Sequence, residues 1–315
     1  MAGPECRIGF ADLFLLAHGR AWGNTEAAAF EALDQEARNQ RVEAWAAAVP
    51  GMCTEPRRGD DGLDYLAFWL EGDDPIGLMF AGMPKLGPGS DEATREALKR
   101  LPRREFSQVV DLGCGSGRQT LVLARELGVP VHAVDLLPAF LAEVDAKARE
   151  AGLGDLVQTR RLDMADLALR FEEVDLLWCE SAIYNLGFGP ALHAWKPALA
   201  PGACVVASEL CWTTEAPPAA TRDFFAEAYP AMTTVAANRA AAEAEGYEVL
   251  DQFELPASAW TDGYYDRLRP RAQVLLQHQA KPVRAFASET LEEIALFEED
   301  HDSYAYVFFL MRRRD

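Results

Sequence analysis

Basic residues are scarce in this sequence. Of 315 residues, 30 are Lys or Arg against 50 Asp or Glu, and 30 − 50 leaves a formal net charge of −20. A surface that neutralises nucleic-acid phosphates needs clustered Lys and Arg. A short basic cluster such as Arg312–Arg314 in so acidic a chain argues against a nucleic-acid partner. Long apolar runs are missing too. No window approaches the roughly 18 uninterrupted apolar residues of a membrane span. Asp12 interrupts the apolar run from Phe10 to Leu16, and His18 and Arg20 follow it, where a secretory leader would sit. These absences predict a cytoplasmic protein with no membrane partner. The six cysteines (Cys6, Cys53, Cys114, Cys179, Cys204 and Cys211) form no C-x-x-C pair, so closely spaced zinc ligands are lacking. No carboxylate triad suggests a metal either, and none is expected. Four of the thiols lie in or beside apolar runs, as reduced, buried cysteines do.

What is present is ordinary globular usage: 50% hydrophobic and 25% charged residues, which excludes disorder for most of the chain. At this length about three-quarters of the unfolded surface can be buried, enough for one large core or two modest ones. Residues 1–80 read as helical. Asn24 or Thr25 can cap a helix running to about Val49, with Phe30, Leu33, Ala37, Ala44 and Ala48 on one face and Pro50-Gly51 as its stop. The apolar cluster from Leu63 to Leu70 predicts a short helix, followed by a Gly- and Pro-rich loop from Gly72 to Gly89. Ser90, with Asp91 and Glu92 behind it, starts a helix to about Leu101.

From residue 106 the rhythm changes to alternating strand and helix. The predicted strands are Gln108–Leu112, Val131–Asp135, Val157–Leu162, Val174–Trp178 and Ala203–Leu210. Between them come helices over Arg118–Leu127, from Pro138 with Leu141, Val144, Ala148 and Ala151 on one face, and near Phe188–Leu199. Alternation of this kind makes a parallel sheet covered on both faces. Late strands over Tyr247–Leu255 and Tyr304–Arg312 are separated by some fifty residues of helical character, a cap or lid.

The most informative stretch is Val109-Val-Asp-Leu-Gly-Cys-Gly-Ser-Gly-Arg-Gln-Thr120, a glycine loop between a strand and a helix. Gly113, Gly115 and Gly117 remove side chains where a ligand must lie against backbone, and Asp111 sits beneath them. A dinucleotide fingerprint needs its third glycine at position 118, which is Arg118. Asp135 ends the second strand, 22 residues beyond Gly113, where an acid can accept ribose hydroxyls. Asp163-Met164 follows the third strand and can frame an adenine with one carboxylate and one apolar contact.

Asp111–Gly117, D-L-G-C-G-S-G, resembles the first motif of class I S-adenosylmethionine (SAM)-dependent methyltransferases. Ala133–Leu136, A-V-D-L, resembles the second. The resemblance covers about residues 85–255, and the final strand more weakly. It implies an α/β, doubly wound, seven-stranded sheet of Rossmann-like methyltransferase type with its last strand antiparallel, and SAM as cofactor. It places Gly113–Gly117 at the methionine moiety, Asp135 at the ribose, and Asp163 with Met164 at the adenine. Glu180–Phe188 together with Gly87–Ser90 is similar to an uncharacterised bacterial subgroup of small-molecule methyltransferases.

Methyl transfer from a sulfonium is an in-line displacement, so alignment and desolvation carry much of the acceleration. Glu180 ends the fourth strand at the crevice and is expected to position or deprotonate the acceptor, or to pair with a cationic one. Tyr184, one turn on, is expected to face the same space. Trp212, Trp260, Tyr264 and Tyr265 are expected to close over an apolar or cationic small-molecule acceptor. Two other readings stand beside this one: a non-catalytic SAM-binding or partner-binding module, and an NAD-dependent oxidoreductase. The domain reading is a helical N-terminal extension over 1–85, serving as a lid or homodimer contact. A SAM-binding domain over 86–315 follows, with a helical insertion at about 256–302.

Overall fold

The computed structural model describes residues 8–18, 22–49, 52–59, 62, 64–70, 74–80 and 83–314. Two compact units emerge: one joins the chain up to Met83 with Gly263–Ala295, the other joins Pro84–Asp262 with Leu296 onward.

In the first unit, helices Phe10–His18, Asn24–Glu31 and Gln35–Ala47 are followed by strands β1 (Met52–Arg58) and β2 (Asp64–Leu70). The sequence predicts one helix over 24–49, but two form. Asp34 adopts an extended backbone and its carboxylate accepts from the Ala37 amide at 2.8 Å, which starts a new helix. The expected helix over 63–70 is instead a strand paired antiparallel with β1, Met52 opposite Leu70 through Arg58 opposite Asp64. Its aromatics suit a pleated surface once a partner strand exists, and tertiary pairing overrides the local apolar pattern. Leu63, the proposed stop at Pro50-Gly51, Gly72, Arg20 and Cys6 lie outside the described residues. Helix Pro75–Phe80 occupies part of the expected loop. From the insertion come helices Asp266–Leu275 and Lys281–Glu299. The buried Arg271 guanidinium donates to the Met79 carbonyl at 3.0 Å and the Leu16 carbonyl at 3.1 Å, tying the insertion to the N-terminal segment inside this unit.

The second unit is built on one sheet: β3 (Val109–Leu112), β4 (Val131–Asp135), β5 (Val157–Arg161), β6 (Val174–Glu180), β7 (Leu199–Trp212), β8 (Thr233–Thr234), β9 (Tyr247–Glu254) and β10 (Tyr304–Arg313). Its order is β5-β4-β3-β6-β7-β10-β9, with β10 antiparallel to both neighbours. The short β8 adds an eighth strand, pairing with the end of β7 at Cys211 and Trp212. The chain winds from β3 through β4 to β5 on one side, then crosses back to β6 beside β3, so the strand order reverses at β3. Val110, Leu112, Val134, Leu177, Val205, Phe309 and Met311 form one side of the core with Leu192 and Trp195 of helix Phe188–Trp195. Cys114, Cys179, Cys204 and Cys211 are buried free thiols, and the Cys53 side chain is half-buried. No helix among the described residues is long and apolar enough to cross a membrane.

Candidate functional site

The loop leaving β3 turns on three glycines with left-handed backbones: Gly113 at φ 65°, Gly115 at 52° and Gly117 at 83°. L side chains rarely adopt such angles, and close packing reinforces the requirement. A Cβ on Gly113 would lie 2.4 Å from the Ala182 Cβ, one on Gly115 2.8 Å from Leu86, and one on Gly117 2.8 Å from Val144. The sequence assigned the missing side chains to a ligand; the structure adds a reason internal to the chain, because neighbouring segments close directly on this backbone.

The loop is pinned from below and from the side. Asp111 is fully buried and accepts from the Thr120 hydroxyl and the Gln119 amide. Burial pushes its carboxyl up to about 7, against the opposing pull of the Thr120 hydrogen bond. Asp135 accepts from the Gly115 amide on one oxygen and the Leu137 amide on the other, each at 2.9 Å. A carboxylate offers about four lone-pair sites, so Asp135 keeps capacity for ligand hydroxyls. Met164 reaches the same turn, its Cε 3.2 Å from where a Gly113 Cβ would be. Asp163 accepts from the Ala165 amide at 2.9 Å and caps the 3-10 turn Met164–Leu169. Asp111, Asp135, Met164 and the three glycines therefore converge around one turn.

Glu180 closes β6 with its side chain buried. It accepts from the Thr94 hydroxyl at 2.7 Å and the Trp178 indole at 2.8 Å, and pairs with Arg118. Arg118, the residue in place of a dinucleotide glycine, also donates to the Thr94 hydroxyl at 3.1 Å. The carboxylate is thus already supplied with a cation and two neutral donors, which ties β6, helix Arg118–Leu127 and helix Asp91–Arg100 together. Beyond Glu180 the chain kinks: Ser181 has φ 52°, and its amide donates to the buried Ser208 hydroxyl at 2.8 Å. The Ser181 hydroxyl donates to the Pro88 carbonyl at 3.0 Å, so the segment before helix Asp91–Arg100 crosses the carboxyl end of the sheet.

One residue was missed by the sequence reading. Glu209, on β7 next to the Ser208 that pairs with Glu180, is 1% exposed. Neither of its oxygens makes a full hydrogen bond. The Tyr229 hydroxyl and the Leu210 amide lie near enough to favour its charged form, yet burial dominates and raises its carboxyl to about 7. Tyr184, in the turn Ile183–Asn185 and 43% exposed, packs edge-on against Tyr229 with ring centroids 6.0 Å apart. A lone acid inside the apolar run Ala203–Leu210 was the available signal.

Two of the proposed acceptor aromatics meet at one ring: Trp212 and Trp260 both pack edge-on against Tyr304. Trp212 packs on Phe225 and Tyr304. Trp260 is buried and stacks on Phe297, 5.1 Å away, beside Tyr306 in the second unit. Tyr264 and Tyr265 are buried in the first unit, where the Tyr265 hydroxyl donates to Glu293. Among the described residues no group of three His, Cys, Asp or Glu side chains could hold a metal ion.

Residues 109–202 match the family model of a methyltransferase domain. The uncharacterised protein YjhP of Escherichia coli strain K12 is 26% identical over 126 residues, 40% of this chain and half the length of that relative. The solved structure of YjhP aligns with 76% of this chain and 98% of its own, at 19% identity and a TM-score of 0.63. A SAM-dependent methyltransferase from Geobacter sulfurreducens, solved with S-adenosylhomocysteine (SAH), aligns over the same shares at 18% identity and TM-score 0.66. A geranyl diphosphate methyltransferase solved with SAM aligns over 71% of this chain and 85% of its own, at 18% identity and TM-score 0.51. At these identities the solved structures share the fold. Residues 109–202 thus match a methyltransferase-domain model, within a fold shared with solved SAM-dependent methyltransferases.

Proposed function

We propose that this protein transfers a methyl group from SAM to a small-molecule acceptor. The observation that carries the reading is the left-handed glycine turn at the carboxyl end of β3, where the strand order reverses, with Asp135 anchored to its middle amide. Open α/β sheets bind ligands in that crevice. SAM, when bound, supplies an electrophilic methyl on a sulfonium. The chain's part is to hold and dehydrate it: Gly113–Gly117 at the methionine moiety, Asp135 at the ribose, Asp163 and Met164 at the adenine. Arg118 at the dinucleotide-glycine position disfavours a nicotinamide cofactor. That a geranyl diphosphate methyltransferase shares the fold agrees with a small acceptor.

Glu180 serves in this reading as a positioning residue. Its pairing with Arg118 and Thr94 fixes the end of β6 beside the acceptor space. Tyr184 lines that space. Trp212, Trp260, Tyr264 and Tyr265 act through packing. A cytoplasmic setting agrees with the composition. Calorimetry tests the cofactor: saturable binding of SAM and SAH with no response to NADH is expected, and the reverse order of preference sinks the reading. For Glu180→Gln, SAM affinity within about threefold of wild type and an acceptor KM raised about tenfold are expected; unchanged turnover and KM remove Glu180 from the site.

A further inference from the structure

Two glutamates stand on neighbouring strands near the carboxyl edge of the sheet. They lie on its opposite faces, since Glu180 is in register with Ser208, and only one has a cation among the described residues. Glu180 has Arg118. Glu209, on the adjacent strand, has no Lys or Arg among the described residues paired with it. A buried carboxylate without a cation is expensive, and such groups persist in folds chiefly where something else supplies the charge.

What surrounds Glu209 says what that something is. The Tyr229 hydroxyl stands beside it, and the half-exposed Tyr184 packs edge-on against the Tyr229 ring. Tyr184 is two residues past Ala182, which packs on Gly113 of the glycine turn, so the tyrosine pair continues directly from the proposed SAM site. The other titratable groups around Glu209 are the buried thiols Cys179 and Cys211, with Glu254 further off; none is a cation. Ring faces attract cations, and a carboxylate beside a tyrosine pair is a combination that selects a positive nitrogen over a neutral hydroxyl. The −20 net charge draws such ligands toward the molecule as well.

We propose that Glu209, Tyr229 and Tyr184 form the acceptor-recognition pocket and that the acceptor carries a protonated or quaternary nitrogen which binds there. This rests on the methyl-transfer reading for the word acceptor, while the pocket itself stands on Glu209 and the two rings. Tyr229 moves aside on its helix end to admit the ligand, and the ammonium group takes the place of the cation the fold withholds.

The experiment uses the full chain, with and without saturating SAH, and follows its melting midpoint. The probes are primary, dimethyl- and trimethyl-alkylammonium ions of two to six carbons, each compared with the alcohol of the same size. At least one ammonium ion is expected to raise the wild-type midpoint by about 2 °C or more where its alcohol does not. Glu209→Gln, which keeps the shape, is expected to abolish that shift and to leave SAH binding intact; Tyr184→Ala, at a half-exposed position, is expected to halve it or more. If no ammonium ion shifts the wild type, or if the shift survives in Glu209→Gln, the pocket assignment falls. Absence of SAH binding overturns methyl transfer instead, a result read independently of the ammonium series.

Discussion

A charge taken out of water must find a partner or lose itself to a proton, and three carboxylates in the second unit illustrate the choices. Glu180 takes a partner. Arg118→Ala strands it inside the fold, and a loss of about 3–5 kcal/mol in urea unfolding is expected; adding Glu180→Gln to that variant should restore most of the loss. Asp111 and Glu209 instead drift toward the neutral form, each pushed up to about 7 by burial. Both bind a proton more tightly folded than unfolded, so each withdraws stability as pH climbs from about 4 to 7. The melting midpoint should therefore fall over that window, and fall less steeply in Glu209→Gln; equal slopes would show that Glu209 titrates as it does in the unfolded chain. The motif made Asp111 visible in the sequence. Glu209 showed in the sequence only as a lone acid in an apolar run, and its meaning lies in which side chains reach it in the fold.

Elements show why local pattern succeeded in one half of the chain and faltered in the other. Between residues 106 and 212 the strands other than the polar edge strand β5 are apolar runs, and helices carry their own starts or stops, as with Pro138 opening helix Pro138–Glu150 and Gly128 closing helix Arg118–Leu127 at φ 67°. Those signals act within a few residues and can be read without knowing the fold. The hairpin of β1 and β2 could not, since the apolar run 63–70 fits helix and strand alike and only its partner decides. The turn from β3 into its helix is the element most sensitive to change. Gly113→Ala meets both a left-handed backbone, about 1–2 kcal/mol, and the Ala182 methyl. A lower melting midpoint and at least tenfold weaker SAM binding are expected by calorimetry. Wild-type behaviour in both would mean that the turn relaxes without involving the ligand.

At the scale of the molecule, the N-terminal segment and the insertion between β9 and β10 belong together. Residues up to Met83 share a unit with Gly263–Ala295, and Arg271, Arg267 and Phe286 of the insertion contact Leu16, Met79, His18 and Phe80. An extension and an insertion that read as separate attachments in the sequence are one body. Removing residues 1–83 alone uncovers the buried faces of helices Asp266–Leu275 and Lys281–Glu299, so light scattering should show that variant aggregating. A variant that also replaces Gly263–Ala295 with a short linker should stay dispersed and still bind SAM. If the first variant is as well behaved as the second, the two segments do not depend on each other.

The sequence by itself determined the class of sheet, the glycine turn and the acids at the ends of β3 and β4, because glycine punctuation, apolar alternation and strand-end carboxylates act locally and leave their mark in neighbouring residues. Only the tertiary structure decided that Arg118 pairs with Glu180, that Glu209 meets no Lys or Arg among the described residues, and that the N-terminal segment and the insertion form one unit. Those outcomes depend on residues far apart in the chain arriving at the same place, and no short-range pattern encodes a distance of that kind.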